Sequence, residues 1–109
     1  MGNRPLYYYK GGSFLEVIDQ RRGFNVYTLK PAWRDVYLFC QRIRTEHEIL
    51  ARFTREHEAS FVRDILREFL DENLMYQEDN HYLSLAVAHD SFSAARRIRK
   101  EEGAGDGRP

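Results

Sequence analysis

Four histidines (His47, His57, His81, His89) and one thiol (Cys40) are the side chains of this 109-residue chain best suited to bind a metal or act as a nucleophile. Their spacing serves neither purpose. His47 is followed by Glu48, but Ala51 stands where the second histidine of an HExxH helix would sit. No set of histidines and cysteines has the interval of a zinc site, and no CxxxCxxC run exists to hold a four-iron cluster. The two Glu-His-Glu triplets, at residues 46–48 and 56–58, read as solvated helix-end residues. Cys40 falls between Tyr37 and Ile43 on an apolar helical stripe, where a small hydrophobic side chain belongs and no base is provided. Gly11-Gly12 lacks the Lys and Ser/Thr of a phosphate-binding loop. The sequence therefore predicts a chain with no catalytic residues and no metal or cofactor site of its own.

The elements that would position a binding surface are clearer. Over residues 60–70, Phe61, Val62, Ile65, Leu66, Phe69 and Leu70 form one apolar stripe at helical spacing, with Arg63, Asp64, Arg67 and Glu68 opposite. Asn73 tolerates the left-handed conformation that ends helices. Residues 74–77 and 82–87 then flank the polar tip Glu78-Asp79-Asn80-His81, which predicts a hairpin. In its second strand Leu83, Leu85 and Val87 share one face and Tyr82, Ser84 and Ala86 the other.

Upstream, residues 14–18 and 24–29 are rich in β-formers and joined by a segment ending in Gly23. Pro31 suits a first helical turn, and Trp33, Val36, Tyr37, Cys40 and Ile43 predict a helix over residues 31–44. Thr45 and Glu48 fit a capping box that opens a short helix over residues 46–53, burying Ile49, Leu50 and Phe53. The resulting order, β-β-α-α-α-β-β, is an α+β, winged-helix-like domain with an N-terminal β-ribbon over residues 13–89. Residues 1–12 read as a flexible arm whose Tyr7, Tyr8 and Tyr9 pack on a neighbouring domain or on the core. Residues 90–109 read as a basic, largely disordered tail.

Charge limits the partners. Residues 14–88 carry 10 Lys/Arg against 13 Asp/Glu. On the third helix Arg63 and Arg67 face Asp64, Glu68, Asp71 and Glu72, a pattern that repels phosphate. A winged-helix DNA-binding regulator is thus the alternative function, and nucleic acid the unfavoured partner. No stretch approaches the roughly 18 apolar residues of a membrane span, no leader is visible, and a lone cysteine forms no internal disulfide; a cytoplasmic chain is expected. The function left is peptide docking by strand addition at the strand over residues 82–87, with the outer side of the third helix. Arg63, Arg67, Tyr82 and Ser84 are the expected contacts, and the acidic helix favours a basic or neutral peptide.

Three segments resemble a known group. Residues 13–29 (SFLEVIDQRRGFNVYTL) are similar to a leucine–x–hydrophobic–Asp–x–Arg ribbon that follows the catalytic barrel. Residues 35–50 (DVYLFCQRIRTEHEIL) resemble the helix and threonine cap that come next, and residues 74–88 (LMYQEDNHYLSLAVA) the closing hairpin. The group is the cobalamin-dependent radical S-adenosylmethionine maturases of ribosomally made peptides and related iron–sulfur oxidoreductases. The resemblance covers their C-terminal accessory domain only. It implies a non-catalytic domain that docks on a radical S-adenosylmethionine barrel in cis or helps hold the substrate precursor peptide. The four-iron cluster, S-adenosylmethionine and, in part of the group, cobalamin would belong to the parent enzyme. None of the group's catalytic residues maps onto this chain. A purely structural domain is the remaining alternative.

Overall fold

A computed structural model describes residues 5–89, an α+β arrangement of three helices and seven strands in two sheets among those residues. The order is β1 (Leu6–Lys10), β2 (Leu15–Asp19), β3 (Asn25–Leu29), α1 (Pro31–Phe39), β4 (Arg44–Thr45), α2 (Glu46–Phe53), α3 (Ala59–Asp71), β5 (Met75–Glu78), β6 (His81–Ser84) and β7 (Val87–Ala88). One sheet has the order β3-β2-β1-β7, antiparallel except for the parallel β1–β7 pair; the other is antiparallel, with the order β4-β6-β5. The tail over residues 90–109 lies outside the described residues.

Residues 6–10 are not an arm. They form β1, paired with β2 from Leu6↔Asp19 to Lys10↔Leu15, and Tyr8 is buried in the core. Gly11 and Gly12 lie in the turn of that hairpin: the Gly11 N–H donates to the Phe14 carbonyl at 2.9 Å, and a Cβ on Gly11 would run into the Phe14 ring. Alternation in β1 is masked in the sequence because Tyr7, Tyr8 and Tyr9 are chemically identical while only the middle one points inward. The next connection matches expectation, with Gly23 at a φ of 102°.

The helix predicted over residues 31–44 stops at Phe39. Its last carbonyls are taken by the second sheet: the Ser84 Oγ–H donates to the Tyr37 carbonyl (2.7 Å) and the Ser84 N–H to the Cys40 carbonyl (2.7 Å). With those acceptors engaged, the chain leaves the helix and forms β4 against β6. Ile43, expected in the buried stripe, is consequently 62% exposed. The capping box of α2 forms as expected: the Thr45 hydroxyl accepts from the Glu48 N–H (3.1 Å) and the Glu48 carboxylate from the Thr45 N–H (2.8 Å).

Helix α3 buries Val62, Ile65, Leu66 and Phe69, and the chain turns at Asn73 with a φ of 61°. The long second hairpin strand divides in two. β6 ends at Ser84, and after residues 85–86 the chain joins the other sheet as β7. The alternation holds, with the less apolar set inward: Tyr82, Ser84 and Ala86 are buried while Leu85 and Val87 are exposed. Tyr37 accounts for this. Its buried hydroxyl donates to the Leu74 carbonyl (2.7 Å) and accepts from the Ala86 N–H (3.0 Å), fixing which face turns in. One hydrophobic cluster runs from Tyr8, Leu15, Val17 and Leu29 through Val36, Tyr37 and Phe69 to Met75 and Tyr82, joining both sheets to all three helices.

Candidate functional site

Strand addition needs a free edge, and over residues 82–87 only the two-residue β7, which begins at Val87, has one. β6 is the central strand of its sheet, flanked by β4 and β5, and Val87 and Ala88 pair with Tyr7 and Tyr8. Of the four predicted contacts, Ser84 is a buried structural residue and Tyr82 is 7% exposed. Arg63 and Arg67 are exposed on α3. Arg63 Nε donates to Glu46 Oε2 at 3.0 Å, and Arg67 lies 3.8 Å from Asp64. Arg63, Arg67 and Tyr82 do line one shallow cleft of about 220 Å³, together with Glu46 and Gln77; Ser84 is not part of it.

Among the strands at the ends of the two sheets, β3 is the longest, with five residues. β3 pairs with β2 alone. The Gly11→Phe14 bond and the Gln20 N–H to Pro5 carbonyl bond (3.0 Å) set the alternation of the ladder, so that Glu16 and Ile18 exchange hydrogen bonds with β1. Leu15, Val17 and Asp19 then bond to Leu29, Tyr27 and Asn25 on β3. The N–H and C=O groups of Val26 and Thr28 therefore point to the open edge, ready for another strand.

Beside that edge runs a groove of about 360 Å³. Tyr27, Thr28 and Leu29 supply one wall, Glu68, Phe69 and Glu72 of α3 the other, and Lys30, Trp33 and Leu74 complete the lining. The Tyr27 hydroxyl donates to Glu72 Oε1 at 3.1 Å and Trp33 Nε1–H to Glu68 Oε1 at 3.3 Å. These two bonds tie α3 to β3 through Glu72 and to α1 through Glu68. Burial, and then the Glu72 carboxylate it donates to, raise the Tyr27 phenol above its ordinary pKa.

One clamp anchors the groove. Asp19 is buried and accepts from Arg21 at Nε (2.9 Å), at a terminal guanidinium nitrogen (3.0 Å) and at its backbone N–H (3.0 Å). The same guanidinium donates to the Asn73 carbonyl at 2.6 Å, tying the β2–β3 turn to the end of α3. Hydrogen bonding from Arg21 holds the Asp19 carboxyl below its usual pKa. The sequence displayed Asp19 and Arg21 but gave no signal that their partner would be the backbone of residue 73.

A second open surface lies on the outer face of the β5–β6 hairpin, where Ile43, Tyr76 and Leu83 line a depression of about 300 Å³. Cys40 is fully buried, and burial pushes its thiol pKa up to about 12, so it holds its proton at neutral pH. Among the described residues no three His, Cys, Asp or Glu side chains group as a metal site would require. No helix among them is long and apolar enough to cross a membrane. Comparison of the chain with protein-family models, curated proteins and solved structures returned no match.

Proposed function

We propose that this chain is a winged-helix-like docking domain, without catalytic residues of its own, that takes an extended peptide as an added strand on β3. The observation that carries the reading is the five-residue edge of β3, its Val26 and Thr28 peptide groups directed outward beside the groove against α3. An incoming strand would gain main-chain hydrogen bonds from that edge and place alternate side chains in the groove. The winged-helix-like description rests on α1, α2 and α3 followed by the β5–β6 hairpin, with β4 completing its sheet. The outer side of α3 carries Asp64, Glu68, Asp71 and Glu72 against Arg63 and Arg67, which disfavours the DNA-reading use of such a domain.

The resemblance of residues 13–88 to the accessory domain of radical S-adenosylmethionine peptide maturases supplies the context. In that setting the peptide is the precursor substrate, and the cluster, S-adenosylmethionine and cobalamin sit in the preceding barrel. The depression at Ile43, Tyr76 and Leu83 is the apolar surface suited to pack on such a barrel.

The test is amide hydrogen exchange with peptides selected from a random ten-residue display library. Selected peptides are expected to slow exchange at Val26 and Thr28. Binders that leave both amides unchanged would place the site elsewhere and sink the proposal.

A further inference from the structure

The edge of β3 admits any extended backbone, so selectivity has to come from the groove. From its charge and shape we infer that the peptide taken there carries a lysine or arginine beside an apolar residue, the two side chains facing the groove from positions two apart in the peptide. This inference rests on strand addition at β3 and names the chemical class of the strand.

Side chains on one face of a strand recur every second residue, about 6.7 Å apart. Glu68 and Glu72, one helical turn apart, lie about 6 Å apart along α3. The carboxylate spacing is thus close to the side-chain spacing of an added strand, and Glu72 is held to β3 by the Tyr27 hydroxyl. The apolar lining near the carboxylates comes from half-buried Trp33 with the buried Phe69 and Leu29. An apolar peptide residue covers that surface, and a cation two positions away reaches Glu72 or Glu68 at the rim. Each carboxylate accepts one hydrogen bond through its Oε1 from an aromatic residue, which fixes its orientation and leaves acceptor capacity for a cation. Of the nearby cations, Arg21 is committed to Asp19 and the Asn73 carbonyl, while Lys30 lines the groove as its one positive group. The pair of carboxylates outweighs it. A strand with an acidic residue at the same place would meet like charge on the α3 wall.

The experiment sequences the peptides selected by the full chain from a random ten-residue library, then measures affinity for individual fluorescent peptides. Enrichment of Lys or Arg two positions from an apolar residue is expected. The Glu68→Gln, Glu72→Gln double variant is expected to bind those peptides roughly three- to tenfold more weakly, as for exposed ion pairs. It should also lose most of the salt dependence that the unmodified chain displays. The Glu68→Lys, Glu72→Lys variant is expected to select acidic peptides instead. Peptides that protect the Val26 and Thr28 amides but show no basic preference would overturn this inference and leave strand addition standing. If no selected peptide protects those amides, or if the edge is filled by a second copy of the chain as a dimer in sedimentation, both readings fall.

Discussion

Tyr37 is the side chain on which the two halves of the molecule meet. From α1 its hydroxyl bonds to both Leu74 and Ala86, on either side of the β5–β6 hairpin, and its ring packs edge-on against Phe69 at 4.9 Å. The sequence placed Tyr37 on the buried stripe, but a phenylalanine there would have read the same, because its partners lie 37 and 49 residues away. Tyr37→Phe leaves the buried Ala86 N–H without its partner and the Leu74 carbonyl with the Leu85 N–H alone, so a loss of about 1–3 kcal/mol is expected in urea unfolding. Burial raises the Tyr37 phenol to about 12 and the Cys40 thiol to about 12. Both groups hold their protons more tightly folded than unfolded. Their contribution is therefore complete below the unfolded values and declines as pH rises from about 9 toward 12. Melting temperature should fall over that range, and Cys40→Ala should remove the part of the fall that begins near pH 9. Asp19 has the opposite sign. Its pKa is lowered in the folded chain, chiefly by Arg21, so its contribution is present above the ordinary value of 3.8 and lost on further acidification. Asp19→Asn should flatten the acid limb of the same melting series.

Among the elements, α2 and α3 were legible because their causes are local. The Thr45–Glu48 box sets the start of α2, and an apolar stripe with Asn73 beyond it sets α3. Elements bounded by tertiary competition were not. α1 loses its last turn to Ser84, and the segment over residues 82–88 is shared between two sheets. Period-2 patterning gave the alternation over residues 82–87, but which face turns inward depends on the Tyr37 hydroxyl, which no pattern within the strand reports. The free edge of β3 supplies its own test. Thr28 directs its N–H away from β2, so Thr28→Pro removes a donor that the fold does not use. Its circular dichroism should match the unmodified chain, while peptide affinity falls at least roughly fivefold, the equivalent of one lost main-chain hydrogen bond. Tyr27→Pro, one residue away, deletes a ladder bond to Val17 and should impair folding itself.

At the scale of the whole molecule, the sequence yielded the α+β class and three correctly ordered helices, but not the β3 edge proposed for binding. It pointed to β6, because an alternating strand at the end of a hairpin looks like an edge until β4 is seen on its other side. β1 produced a related omission: three tyrosines near a glycine pair read as an arm, yet they occupy the middle of a sheet between β2 and β7. That last pairing has a practical corollary. Tyr7 lies opposite Val87 and Tyr8 opposite Ala88, both strands running the same way, so His89 is level with Tyr9 and about 13 Å along the strand from Pro5. A linker of about six residues, at roughly 3.3 Å each, spans from His89 back to Pro5. A circular permutant joined there and opened between Gly11 and Gly12 would make β1 the last strand synthesised rather than the first. It should regain the unmodified circular dichroism spectrum, since every ladder partner is kept. A host protein could likewise carry the described residues as an insertion in one of its own loops, with its two junctions on adjacent strands of one sheet.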